Sequence, residues 1–170
     1  MANTYVKIGS TVTVGLLGAA SIDFSAIPST YTDLLLKISA RTTRADVTDA
    51  ISLSLNGVAT NQTSRYLEGP GSGTGGSGSL TSFRTQATGA TATANTFGNS
   101  EFYIPNYAGS TFKSASSDGV SETNATAAYA WLVANLWSST AAINQITITD
   151  LNGASFVQYS TASLYGILKS

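Results

Sequence analysis

The side chains best suited to catalysis in this sequence are nine carboxylates, because the chain contains neither histidine nor cysteine. Their absence excludes Ser-His-Asp and Cys-His catalytic groups, thiolate metal sites and disulfide bonds. The carboxylates are scattered singly along the chain: Asp23, Asp33, Asp46, Asp49, Glu68, Glu101, Asp118, Glu122 and Asp150. Such a dispersed set has no catalytic signature, so we predict that the protein is not an enzyme and needs no cofactor.

Two arrangements of these carboxylates could form a site. Glycoside hydrolysis needs two carboxyl groups on either side of a sugar, which requires Glu68 and Glu101 to meet in the fold. Asp46 and Asp49 form the only close acidic pair, whereas a calcium loop normally supplies several oxygens in an Asp-x-Asn-x-Asp pattern. A solvated polar loop is therefore favoured over a metal site.

Two arginines precede this acidic pair. Arg41 and Arg44 can pair with the acids and order the loop, or they can reach a neighbouring subunit. Aromatic residues are the remaining candidates, since they can stack on sugars: Tyr103, Tyr107, Tyr129, Trp131, Trp137, Tyr159 and Tyr165. In a small β-sandwich, aromatics at alternate positions belong more often to the core or to a subunit interface, and we favour that interpretation.

The composition narrows the classes of partner. Charged residues make up 10 % of the chain, against about 25 % in ordinary soluble domains. The net charge is −1 and the basic residues do not cluster, so nucleic acid is not an expected partner. No apolar stretch approaches the roughly 20 residues of a membrane span, and the first residues do not resemble a signal peptide. A surface so poor in charge suits contact with other protein subunits.

Short alternating segments separated by turn residues predict strands along the whole chain. The clearest is Ile51–Leu55, which runs into Asn56-Gly57 and predicts a tight hairpin with 63–67 as its partner strand. Residues 111–114 predict only a short strand. The alanine-rich segment 125–137 suits a helix by propensity, but its large residues fall on odd positions and favour a strand.

These segments predict an all-β fold, an antiparallel β-sandwich of jelly-roll type with about ten short strands. The glycine-rich stretch 69–79 lacks the Gly-Lys-Ser/Thr of a phosphate-binding loop and is predicted to be a flexible loop. Neither side of this loop has enough strands for a sandwich of its own. We therefore predict a single domain over residues 1–170.

Three stretches carry a resemblance to a known family. They are Ile22–Leu36 with Ser39–Arg41, the Leu53–Gly57 hairpin with Phe102–Ala108, and the segment Ala162–Ile167. With these stretches the chain resembles small jelly-roll-like structural proteins found in the genomes of tailed bacteriophages. The resemblance implies a place in the virion.

A capsid decoration (cement) protein that stabilises the shell through contacts between subunits is the favoured function. The alternative is a receptor-binding or tail-fibre-associated module that recognises cell-surface glycans. Expected partners are other copies of the chain, with a trimer as the expected assembly, and the major capsid protein or tail subunits. The candidate interface comprises the N-terminal segment 3–8 and the loops 41–49 and 69–79, with Tyr5, Arg41, Arg44 and Tyr107 as candidate interface residues.

Overall fold

The computed structural model describes residues 4–71, 75–124 and 128–168. These residues form twelve β-strands, and none of them belongs to a helix able to cross a membrane. In chain order the strands are β1 (Tyr5–Thr13), β2 (Ser21–Phe24), β3 (Asp33–Ala40), β4 (Thr48–Leu55), β5 (Gln62–Gly69), β6 (Gly76–Leu80), β7 (Phe83–Thr88), β8 (Gly98–Pro105), β9 (Lys113–Ser121), β10 (Tyr129–Trp137), β11 (Ile146–Asp150) and β12 (Thr161–Ile167).

The strands form two antiparallel sheets. The eight-stranded sheet has the order β1-β12-β3-β8-β9-β10-β5-β6, and the four-stranded sheet has the order β2-β11-β4-β7. If β5, β6, β9 and β10 are set aside and the other eight strands are renumbered, the orders become 1-8-3-6 and 2-7-4-5, which is the jelly-roll arrangement. The predicted fold class is confirmed, with twelve strands instead of ten. The two additional strand pairs extend one sheet of the jelly roll.

The core lies between the two sheets of the jelly roll. Alternate residues of β3 and β8 point inwards, and Leu34, Leu36, Phe102 and Ile104 are completely buried. The four-stranded sheet contributes the opposing apolar layer, made of Ile22, Phe24, Ile51, Leu53, Leu55, Phe83, Ile146 and Ile148. This interior follows directly from the period-2 pattern of the sequence.

Strand β9 is much longer than the short strand predicted over 111–114. Its nine residues, KSASSDGVS, include few apolar side chains, which is why the hydrophobic pattern missed it. Its buried positions carry Lys113, Ala115, Ser117, Gly119 and Ser121. The strand prediction for 125–137 is confirmed over Tyr129–Trp137, whereas residues 125–127 lie outside the described part of the chain.

The Asn56-Gly57 turn forms as predicted, but its predicted partner strand was wrong. Asn56 and Gly57 both have positive φ angles (53° and 76°), and Leu55 and Val58 exchange backbone hydrogen bonds of 2.9 and 3.1 Å. After this turn the chain crosses to the other sheet, and β4 pairs with β7 and β11 instead of β5. Those two strands bring apolar residues to the same inner face, so packing decided the pairing.

The predicted loop over 69–79 was also too long. Gly69 ends β5, and Gly76–Leu80 forms β6, which pairs with β5 in the register Leu67↔Ser77. Residues 72–74 lie outside the described part of the chain. Glycine is needed at position 78 because a Cβ there would lie 2.8 Å from the ring of Tyr66. The glycines of β6 therefore make room for a side chain of the neighbouring strand.

Polar side chains of the large sheet cap the free edge of β7. Ser100 Oγ donates to the carbonyl of Gln86 (2.8 Å), and Gln62 Oε1 accepts from the backbone N–H of Phe83 (2.9 Å). These bonds satisfy backbone groups that no strand pairs, and they cover an edge that otherwise invites association.

A buried amide links the inserted strands behind this edge. Asn135 on β10 is 2 % exposed; its Oδ1 accepts from Ser64 Oγ (2.7 Å) and its Nδ2 donates to Ser117 Oγ (3.0 Å). Ser117 Oγ in turn donates to the carbonyl of Arg84 on β7 (3.1 Å). The inserted strands are thus fixed to the edge of the small sheet by hydrogen bonds.

Candidate functional site

The most extensive candidate surface is the outer face of the eight-stranded sheet, meaning the side chains that point away from the four-stranded sheet. They alternate with the core residues, and they include Tyr5, Lys7, Leu35, Lys37, Arg65, Leu67, Glu101, Tyr103, Asp118, Val120, Leu132, Ala134, Leu136 and Tyr165. Eight strands spaced by about 4.8 Å and about 25 Å long give this face an area of about 900 Å². It combines a large area with exposed apolar side chains, among which the charged residues Lys7, Lys37, Arg65, Glu101 and Asp118 are dispersed.

One half of the outer face, called here the β1 half, covers β1, β12, β3 and β8. It contains a shallow depression of about 350 Å³ lined by Tyr5, Leu35, Lys37, Glu101 and Tyr165. Lys37 Nζ lies 2.6 Å from Glu101 Oε2, and this hydrogen bond raises the pKa of the lysine. Because the two charges neutralise each other, the depression presents mainly aromatic and aliphatic surface. Tyr5, predicted as an interface residue, is 56 % exposed here.

The other half, called here the β10 half, covers β9, β10, β5 and β6. Leu67 and Leu132 are direct neighbours across β5 and β10 and are 61 % and 59 % exposed. They border a depression of about 490 Å³, together with Arg65 and Ala134. Ala134 also lines a second depression, on the side of Leu136. The β10 half is therefore an exposed apolar surface with a ridge and a hollow.

Arg41 does not belong to either half. Its guanidinium is enclosed by the loop that follows β7 and donates to the carbonyl oxygens of Ala90, Ala92, Thr93 and Thr96 at 2.8–3.1 Å. Its donors are used within the chain to hold this loop, so its role as an interface residue is not supported. The alternative pairing with the nearby acids was also wrong for this arginine.

Arg44 does pair with the acids, as one of the two interpretations predicted. Its guanidinium lies 3.1 Å from Asp49 Oδ1 and 3.5 Å from Asp46 Oδ2. Asp49 is completely buried and also accepts from Thr42 Oγ1 (2.6 Å). This arrangement orders the loop, and the cation already present beside Asp49 disfavours calcium there.

The sequence did not reveal a second carboxyl group that lies beside Asp49. Asp150, at the end of β11, is hydrogen-bonded to Asp49, and burial followed by this contact raises the pKa of Asp150 to about 6. The pKa of Asp49 is lowered despite its burial, because Asp150, Thr42 and other donors hydrogen-bond to it. Below about pH 6 the proton is therefore held by Asp150, and Asp49 is the carboxylate. One hundred residues separate the two positions, so no local pattern signals this contact.

The aromatic residues are divided between the interior and the outer face. Tyr107 is completely buried and its hydroxyl donates to the carbonyl of Pro28, so its prediction as an interface residue was wrong. Trp131 and Trp137 are 6 % and 2 % exposed. Trp131 stacks on Tyr66, with ring centroids 4.5 Å apart and an angle of 6° between the planes. Both tryptophans are thus occupied with internal packing.

The proposed carboxylate pair for sugar hydrolysis does not assemble. Glu101 points outwards from β8 and binds Lys37, whereas Glu68 lies on the inner side of β5, with β9 and β10 between the two strands. The described residues also contain no group of three or more carboxylate, histidine or cysteine side chains placed to hold a metal ion.

Comparison of the chain with protein-family models, curated proteins and solved structures gives no match. The outer face therefore has to be interpreted from its own geometry and chemistry.

Proposed function

We propose that this protein is a structural subunit of a phage particle, most readily a capsid decoration protein, which docks through the outer face of its eight-stranded sheet. The observation that carries this proposal is the exposure of a broad sheet face of about 900 Å² on which Tyr5, Leu67 and Leu132 are each more than half exposed. A standard protein–protein interface buries about 800 Å² on each partner, so the face is large enough for one stable contact. Its placement in a virion rests on the resemblance of the sequence.

The charged residues near the loops form bonds within the chain, and this supports a structural role. Arg41, Arg44 and Asp49 form bonds within the chain that hold loops in place, and they do not converge on a pocket. Exposed leucines on the outer face cost free energy in water, which burial against another subunit recovers at about 25 cal/mol per Å². A sheet with exposed apolar side chains on its outer face suits a protein that adds contact area across the joints of a shell.

The glycan-binding alternative has less support from the side chains. Sugar recognition by stacking needs an exposed aromatic ring, and because both tryptophans are buried, only tyrosines such as Tyr5 and Tyr165 offer one on the outer face. The most exposed tyrosine, Tyr159, is 68 % exposed but lies away from the outer face, in the segment before β12. A glycan array with the purified protein separates the two functions, because docking to a shell predicts no specific sugar signal.

Binding to shells stripped of this protein tests the proposal directly. Tyr5→Asp places a charge in the β1 half and should lower the affinity for shells at least about tenfold, since an unpaired charge opposes burial. Val58→Asp, on a turn at the far side of the molecule and 43 % exposed, is the matched control and should bind like the native protein.

The copy number on the particle is the second measurement. A decoration protein should be present in hundreds of copies on the shell, whereas a receptor-binding module should be present in a few copies at the tail. Tail location, or equal shell binding by both aspartate variants, would count against the proposed function.

A further inference from the structure

We propose that the β10 half of the outer face binds the same half of a second copy of this chain, around a two-fold axis that crosses β10 between Leu132 and Ala134. The proposal deepens the function above, on which it rests for the use of the outer face. It identifies one occupant of that face as another copy of the protein.

The centre of the contact is apolar. Leu132 lies between Leu67 on β5 and Asp118 on β9, and Leu136 follows it along β10. Leu67 and Leu132 are direct neighbours and Leu136 follows beyond Ala134, so three leucines exposed by 37–61 % form an apolar patch with this alanine. Patches of this kind on a folded protein mark interaction surfaces.

The shape of β10 is complementary to itself. Leu132 and Leu136 stand above the sheet, and the small Ala134 between them lies in the wall of the neighbouring depressions. The depression of about 490 Å³ has room for leucine side chains of a facing copy. In a two-fold contact the same patch meets itself, so the ridge of each copy can enter the hollow of the other.

Two opposite charges flank the leucines. Arg65 on β5 is paired in register with Ala134, and Asp118 on β9 is paired in register with Leu132, so the two residues lie on opposite sides of β10. Strand spacings of about 4.8 Å and a two-residue offset place them about 12 Å apart. Neither forms an ion pair with another described residue of the chain.

A two-fold rotation uses both charges at once. The axis lies in the plane of the contact, above the midpoint between Arg65 and Asp118 and perpendicular to the line that joins them. Rotation about it places Arg65 of one copy over Asp118 of the other. Each Arg65 then faces Asp118 of the other copy, and two reciprocal ion pairs enclose the leucines. Glu101 is paired in register with Asp118, but it is bound to Lys37, so these two neighbouring charges add no net charge to the contact. Because this surface carries both a positive and a negative charge, charge complementarity favours a second copy over a partner whose surface is uniformly positive or uniformly negative.

Charge exchange tests the proposal on the purified full-length protein. Sedimentation equilibrium should show a monomer–dimer equilibrium for the native chain. Arg65→Glu and Asp118→Lys should each weaken dimerisation at least about tenfold, because each creates two like-charge contacts. The double variant Arg65→Glu/Asp118→Lys restores opposite charges and should recover dimerisation. Asp23→Lys, on the outside of the four-stranded sheet, makes the same change of charge as Asp118→Lys and should have no effect.

Leu132→Asp provides a second measurement, because it should abolish dimerisation while the circular dichroism spectrum stays native. A monomer at all concentrations, a trimer indifferent to Arg65 and Asp118, or a double variant as weak as the single ones would overturn the inference. A dimer that fails to bind shells would overturn the proposed function alone. A monomer that binds shells would leave that function standing and reject the two-fold contact.

Discussion

The jelly-roll part of the molecule and its four inserted strands fill their interiors by different means. Behind β3, β8 and β12 the inward side chains are large and apolar, such as Leu36, Phe102 and Leu164. Behind β9 and β10 they include Ser117 and Asn135, which are equally buried. Apolar contacts tolerate small shifts, whereas hydrogen bonds require fixed distances and angles. The jelly roll is therefore held by burial, and the inserted strands are positioned by polar groups that fix their place.

The greatest loss of stability is expected in the apolar interior. Phe102→Ala should lower the free energy of unfolding by about 4 kcal/mol, because it removes a completely buried ring and leaves a cavity. Phe112→Ala is the control, since Phe112 is 58 % exposed and its truncation should change the free energy by less than about 0.5 kcal/mol. Urea unfolding measures both. Similar losses in the two variants would show that burial does not dominate in the jelly roll.

A smaller loss is expected where the inserted strands meet β7. A Cβ at Gly119 would lie 2.4 Å from Thr85 Oγ1 and 2.9 Å from Ser100 Oγ. Gly119→Ala should therefore destabilise the protein by about 2 kcal/mol through overpacking. In the double variant with Thr85→Ala, we expect about 1 kcal/mol less destabilisation than the sum of the two single changes. Strict additivity would mean that the close approach of these strands is not fixed by these side chains.

The buried amide of Asn135 should contribute slightly less to the free energy of unfolding. Asn135→Ala removes the link between Ser64 and Ser117 and should cost about 1.5 kcal/mol in the free energy of unfolding. Asn99→Ala, at an exposed position of β8, controls for the loss of an asparagine and should be nearly neutral. If both variants unfold at the same urea concentration as the native protein, the polar interior does not position the inserted strands.

The last comparison between the two parts is the pH dependence of their stability. Between about pH 4 and pH 6 the folded protein retains a proton on Asp150, whose pKa is about 6, while the unfolded chain has released it at a pKa of 3.8. The folded state binds more protons in this window, so the free energy of unfolding decreases as the pH rises through it. Asp150→Asn should flatten this dependence. Asn135→Ala should leave it unchanged, because the amide and hydroxyl groups of that network do not titrate in this range.

The different interiors also explain which parts of the structure the sequence could predict. Alternation of apolar residues marks β8 and β10 correctly, the consecutive Leu34–Leu36 mark β3, and the positive φ angles required at Asn56-Gly57 mark their turn. Strand β9 has serine and glycine where a core strand has leucine, so its length was not readable from hydrophobicity. The partner of β4 depends on packing between strands far apart in sequence, which a local pattern does not contain.

The candidate surface was predictable only in part. Tyr5 is exposed on the sheet and its role at an interface stays a prediction, whereas Tyr107, Arg41 and Arg44 are engaged within the chain. Leu132 and Leu136 were missed, although β10 carries a readable signal: leucines at even positions alternate with Trp131 and Trp137 at odd positions. A strand that is apolar on both faces, in a sheet covered on one side only, leaves one apolar face exposed.

The pairing of β1 with β12 affects how the protein folds. Tyr5 lies opposite Ile167, and β2 and β3 likewise pair with β11 and β12, so the jelly roll consists mostly of contacts between distant parts of the chain. By contrast, β5–β6 and β8–β9–β10 are neighbours in sequence and can pair while the chain is still being synthesised. The apolar layers of the jelly roll stay open until β12 arrives, and such topologies fold in milliseconds to seconds. During that interval chaperones have their main opportunity to bind, and slower synthesis at low temperature should improve the yield of folded protein.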